Sequence, residues 1–251
     1  MSQAKPRLEL SRAAAGGCVK VSFSEIEVTF RKAALGAGTP LGLAEDFGRV
    51  NYWLATRKIG SLSVGLAALN AFDTEDSGSV ATVESEPEWN LSPQSGQKLS
   101  ALYAGSSACD LLCAQHAAIH LRKVDVPLLV LVSAVLASSE YSLAIQIELL
   151  SADGTTEVVF CDCGMVRADA AVLERFTVAS ALDMRLLRTS SGQLRNYPVA
   201  FPAKAPDEVF TEGATVDETE WNRIEQYAKR MLVPASETSR TGAGAGEIDC
   251  D

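Results

Sequence analysis

The chain has 251 residues, a hydrophobic fraction of 47% and a formal net charge of -10. That composition supplies a sizeable core and excludes a disordered chain. The negative field repels phosphate backbones, so no nucleic acid is expected as a partner. The longest apolar run, Val126 to Ala137, is interrupted by Pro127 and Ser133 and falls far short of the roughly 20 residues that cross a bilayer. With no signal-peptide core in the opening "MSQAKPRLELSRAAAGG", the expectation is a cytoplasmic protein without membrane contact.

Residues 1–20 read as a disordered lead-in. In "VSFSEIEVTFRKAALGAG", Ser22 and Glu25 have capping-box spacing, and Phe23, Ile26 and Phe30 recur on one helical face. Gly36 and Gly38 end that helix. Thr39 is the expected cap of the next, with Pro40 at its first position; its stripe is Leu43, Phe47, Val50 and Leu54, and Gly60 is its stop. A shorter helix follows in "SLSVGLAALNAF", completing a helical unit over residues 22–72. The stretch Asp73 to Asn90 is rich in acids and has no base, which predicts a solvated loop. Another helix is expected from Leu99 to Gln115, with Leu102, Cys109, Leu112 and Cys113 inward.

Thereafter "AAIHLRKV", "LLVLVSAVL", "SLAIQIELL", "TTEVVF", "FTVAS" and "DMRLLRTS" are short and rich in β-branched and aliphatic residues, and read as strands. Asp153-Gly154 is a hairpin signal between two of them. A second acidic loop is expected from Pro206 to Glu220, then a helix capped by Asp217 or Thr219, with Trp221, Ile224, Tyr227 and Met231 on one face and Pro234 beyond it. The fold class is α+β. Residues 21–251 form one domain: a helical unit at 22–72, a mostly antiparallel sheet body at 97–205, and a C-terminal helix with a Gly-rich tail at 216–251.

The stretch "FSEIEVTFRKAALGAGTPLGLAEDFGRVNYWLA" and the ending "VPASETSRTGAGAG" with its acidic finish resemble the two ends of an uncharacterised bacterial domain-of-unknown-function family of about this length. The closing "EIDCD" departs from that family's Asp-Asn-Asp-like finish. This resemblance implies no chemistry. The first helices also resemble the N-terminal helices of the malate/lactate dehydrogenase family that is unrelated to Rossmann enzymes.

The candidate chemistry lies at glycine-rich ends. In "SETSRTGAGAGEIDCD", Gly242, Gly244 and Gly246 let backbone N–H groups approach an anion, with Ser236, Ser239 and Arg240 as further donors. At the second helix start, Thr39 and Gly42 offer free amides, and Glu45 one turn on is the candidate general base. The bland readings are a tail packed on its own body or on a second subunit, and a glutamate that complements the helix dipole. His116 and His120, the 2 histidines, have i, i+4 spacing, yet no glutamate follows the first. Cys109-x3-Cys113 and Cys161-x-Cys163 sit in apolar sequence and read as core thiols rather than a zinc site. No metal is expected. Arg167, Arg175, Arg185, Arg188 and Arg195 could hold a carboxylate or pair with Asp169, Glu174 and Asp183. No nucleotide or nucleophile-elbow signature occurs, so the sequence assigns no cofactor.

Two functions stand side by side. One is a metabolic enzyme binding a small anionic, carboxylate-type substrate between the tail and the "GAGTPLG" helix start. The other is a non-catalytic accessory protein whose tail docks on a partner enzyme or a second copy in a homo-oligomer.

Overall fold

The computed structural model describes residues 17–231, apart from 61, 86–87, 95–96, 116–117, 152–154, 179–180 and 191–195. The tail residues Ser236, Ser239, Arg240, Gly242, Gly244 and Gly246, together with His116, Arg195 and the Asp153-Gly154 turn, lie outside the described residues.

Helix α1 (Phe23–Gly36) begins as its sequence dictates. The Ser22 side chain accepts from the Glu25 N–H, the Glu25 carboxylate accepts from the Ser22 N–H, and Ile26, Phe30, Ala33 and Ala34 are buried. Helix α2 (Leu41–Thr56) starts differently from expectation. Pro40 is its N-cap with no side-chain cap bond, and the Thr39 hydroxyl is buried without a partner. Its stop also differs: the helix ends at Thr56, and Lys58 as well as Gly60 takes positive φ. Helix α3 (Ser63–Asp73) completes the helical unit.

Four expectations are overturned. The acidic stretch after Asp73 is not a loop but holds strands β2 (Ser77–Gly78), β3 (Val80–Ser85) and β4 (Glu88–Pro93). Among the described residues strand β3 pairs only with β4, at the sheet edge, where an acidic sequence is tolerated. "LLVLVSAVL" belongs to helix α5 (Pro127–Glu140), which is apolar all round because it is buried from Leu128 through Val132 and again at Ala134, Val135, Ala137 and Ser138. "FTVAS" falls largely in helix α6 (Ala170–Val178). The second acidic connection contains helix α7 (Asp207–Glu212) and strand β12 (Ala214–Asp217). Residues 18–20, read as part of the lead-in, belong instead to β1 (Cys18–Val21), which pairs antiparallel with β12.

The remaining strands are β5 (Lys98–Leu99), β6 (Ala118–Val124), β7 (Ala144–Leu150), β8 (Thr156–Asp162), β9 (Met165–Arg167), β10 (Leu182–Thr189) and β11 (Val199–Phe201). Among the described residues the main sheet runs β11-β9-β8-β7-β10-β6-β4-β3, with β5 beside β6 and β2 beside β5. Most pairs are antiparallel, while β4–β6, β2–β5 and β5–β6 are parallel. Helix α4 (Ala101–Gln115) and α5 cover one face, and α2 packs on both. Helix α8 (Glu218–Lys229), capped by Asp217, lies on α1 and buries Trp221, Ile224 and Tyr227, whereas Met231 is exposed. The fold is α+β.

Two glycines set the helix spacings. A Cβ on Gly36 would collide with the Tyr227 carbonyl oxygen of α8, and one on Gly48 would stand 2.7 Å from the Glu27 carbonyl oxygen of α1. Gly42 faces open space. Gly36→Ala is therefore expected to cost on the order of 2 kcal/mol, a fall in Tm of roughly 4–8 °C for a domain of this size. Gly42→Ala in the first turn of α2 should instead be neutral or stabilise by about 0.5 kcal/mol. Thermal melts of the two variants check this, and equal melting temperatures would contradict the close approach of α1 and α8.

Candidate functional site

The residue with the most unusual environment is Asp125, between the end of β6 and the Pro127 that opens α5. Its N–H donates to the Leu99 carbonyl at 3.0 Å, continuing the β5–β6 pairing. Its Oδ1 accepts from the Ala101 N–H (2.8 Å), at the start of α4, and from the Val126 N–H (2.6 Å). The side chain is thus fixed by two amides that a helix start leaves unmet. Its other oxygen, Oδ2, is buried without a hydrogen-bond partner, in a residue only 7% exposed. The hydroxyls of Ser77 and Ser100, both fully or almost fully buried, also lack partners. Three unsatisfied polar atoms thus gather where β2, β5 and β6 meet α4 and α5. Buried polar groups are nearly always paired, so such a concentration makes this junction the candidate site.

Asp125 lines a cleft of about 440 Å³ together with Ser63, Lys98, Leu128, Phe176 and Thr177. Burial pushes the Asp125 carboxyl above the usual carboxylate range; the nearby Ser77 hydroxyl, the two amides and the Lys98 charge pull it only partly back. Ser77 is near enough to exert that pull but not in hydrogen-bonding geometry. Lys98 Nζ is tied to Asp76 Oδ2 at 2.9 Å, which holds the ammonium at the cleft. A carboxyl that keeps its proton into higher pH, a cation and a serine hydroxyl against apolar walls form an arrangement suited to proton transfer on a small anion.

The residues singled out from sequence lie elsewhere. None of Thr39, Gly42 and Glu45 lines this cleft. Gly42 and Glu45 are exposed, and Glu45 borders a shallow hollow with Glu27, Arg31, Asp46 and Arg49. His120 is on strand β6, not on a helix, and its Nε2 lies 2.7 Å from Glu88 Oε2. Glu88 also accepts from Arg185 at 2.8 Å, and Arg185 donates to Glu148 at 3.1 Å. The Arg185 bond, then that of His120, hold Glu88 below the usual carboxylate range. This polar ladder lies on the sheet face opposite the buried Met184 and Leu186, as strand alternation requires.

Arg167, Arg175 and Arg185 take partners other than Asp169, Glu174 and Asp183. Arg175 meets Glu157, Arg167 donates to the Tyr197 carbonyl, and Asp183 is taken by Arg122 at 3.1 Å and by the Lys123 N–H. Cys109 and Cys161 are buried, and burial pushes both thiols well above their ordinary range, whereas Cys163 is exposed at a turn. Sequence reading passed over Asp125. The available signal was an acid directly ahead of a helix-opening proline in an otherwise apolar run.

The raised pKa of Asp125 has a thermodynamic signature. Between the ordinary and the raised pKa the folded chain holds a proton that the unfolded chain has released, so stability falls as pH rises through that window. Asp125→Asn keeps an oxygen for both amides and has no such slope. The Tm of the variant relative to the parent should therefore climb as pH rises from the ordinary carboxylate pKa of about 4 through the raised one. A difference that stays constant would mean that Asp125 ionises normally.

Comparison with known proteins gives the following. Residues 21–101, from the end of β1 to the start of α4, match a family described as "Protein of unknown function (DUF3726)". No curated protein matches the sequence. Solved structures share the fold at very low identity. Malate dehydrogenase from Entamoeba histolytica has 7% identity and a TM-score of 0.57, over 87% of this chain and 99% of that one. Sulfolactate dehydrogenase from Methanocaldococcus jannaschii has 9% identity and a TM-score of 0.55, over 85% and 97%. A dehydrogenase from Sinorhizobium meliloti has 9% identity and a TM-score of 0.53, over 84% and 100%. The match at residues 21–101 marks a domain of unknown function, and the likeness to the dehydrogenases is one of fold.

Proposed function

We propose that the chain is a metabolic enzyme acting on a small carboxylate-type anion, with its chemistry at the Asp125 cleft. One observation carries this reading: a carboxyl fixed through one oxygen, with the other buried, unpaired and facing no acid partner, in a cleft that also holds a lysine. In the proposed step Asp125 passes a proton to, or takes one from, an oxygen on the substrate. Lys98 draws in the substrate carboxylate. The apolar walls exclude water and so strengthen both interactions. The fold is shared with enzymes named for malate and sulfolactate, both small carboxylates, which supports the substrate class.

A second reading keeps the helix start of α2 in play. Leu41 is 61% exposed beside Gly42, and the Cβ directions of Gly38 and Gly42 open onto empty space. A bare surface of that kind supports an accessory protein on which the tail, a partner or a second copy docks.

The two readings part in one experiment. The full chain is offered malate, sulfolactate and related hydroxy and oxo acids, and binding and turnover are measured. On the enzyme reading, Asp125→Asn lowers kcat by at least about a hundredfold, and Lys98→Met chiefly raises KM. Parental turnover by Asp125→Asn sinks the proposed role. Absence of binding by every acid, with a loss of self-association when residues 241–251 are removed, favours the accessory reading.

A further inference from the structure

A second cleft, of about 450 Å³, opens where α1 and α2 meet the segment from Pro202 to Phe210. Arg57, just past the end of α2, lines it, and its guanidinium lies 4.0 Å from the centroid of the Trp53 ring. Phe201 supports that indole edge-on, with centroids 5.8 Å apart. The Arg57 terminal nitrogens donate to the carbonyls of Trp53, Pro202 and Ala203 and to the Thr56 hydroxyl. All of these acceptors are neutral. Among the described residues no carboxylate forms an ion pair with Arg57, and its Nε is buried without a partner. Desolvation lowers its pKa to about 10, so it remains a cation at neutral pH. Its neighbour Arg49 shows the contrast, being neutralised by Glu140 at 2.8 Å.

A half-buried cation without a counter-ion is costly unless an anion arrives to meet it. The flat walls restrict what that anion can be. Tyr52 and Phe210 line the same cleft, and Phe210 is 49% exposed, an unusual position for a large apolar ring. Lys204 adds a further cation beside Arg57 and the Glu140-paired Arg49, whereas Glu27 and Asp207, also lining the cleft, oppose a dianion. We propose that this cleft is a binding site for a small planar monoanion, an aromatic or conjugated monocarboxylate. Its carboxylate meets the charge of Arg57 and Lys204, and its ring lies against Phe210 and Tyr52. The site shares no lining residue with the Asp125 cleft and does not rest on the enzyme reading.

The test uses the full chain and benzoate as probe, followed by calorimetry. Benzoate should bind saturably, and benzamide, neutral and of the same shape, at least about tenfold more weakly. Lys204→Gln and Phe210→Ala should each weaken benzoate several-fold, and Asp125→Asn should leave it unchanged. Arg57→Gln should abolish binding; if that variant fails to fold, the exposed Phe210 and Lys204 variants decide. No saturable benzoate binding, equal affinity for benzamide, or affinity untouched by both Phe210→Ala and Lys204→Gln overturns the proposal. So does loss of binding in Asp125→Asn alone, which assigns the ligand to the other cleft.

Discussion

Helix α5 is the constraint from which the arrangement follows. A helix apolar on every side gains nothing from water on any face, so it must be enclosed. The sheet covers one side, and α4 and α2 close the other. Its first residue is Pro127, which suits a helix start because its missing N–H would be unmet there in any case. The turn into it must still satisfy the neighbouring amides in a dry setting. Asp125 performs that task with one oxygen, and the geometry that makes it a good anchor leaves the other oxygen unsatisfied.

The two clefts handle buried charge in opposite ways. At Asp125 the charge can be avoided, because a carboxyl desolvated this far takes up a proton instead. At Arg57 it cannot, since even a guanidinium pushed down to about 10 stays protonated at neutral pH. The protein therefore spreads that charge over carbonyl dipoles and an indole face. A proton-exchanging group suits reaction, and a permanent charge suits holding.

Much of the helical scaffold was legible in the sequence. Ser22 with Glu25, the Phe23–Ile26–Phe30 stripe and the Asp217 cap are local signals, and local hydrogen bonds honour them. Strands β6, β7, β8 and β10 were legible because each is a short run bounded by turn residues. The α5 segment misled because a fully buried helix and a fully buried strand both appear as an unbroken apolar run, and only length separates them. The β3–β4 hairpin was hidden by its acids, which read as a solvated loop although the backbones of the two strands pair. The candidate sites were the least legible part. Asp125 and Arg57 belong to no spaced motif, and their character comes from burial supplied by segments distant in sequence.

The ribbon of β1 and β12 joins nearly the two extremes of the described chain, with Cys18 opposite Asp217. Helix α8, which follows β12 at once, covers α1. Until residues 214–229 have left the ribosome, α1 has no α8 to cover it and β1 has no β12 beside it. Contacts of such long range close late, because the loop entropy must be spent before they give anything back. The stretch from β1 to α1 therefore waits, partly uncovered, until β12 and α8 have been made. Its packing is completed only by the arrival of α8.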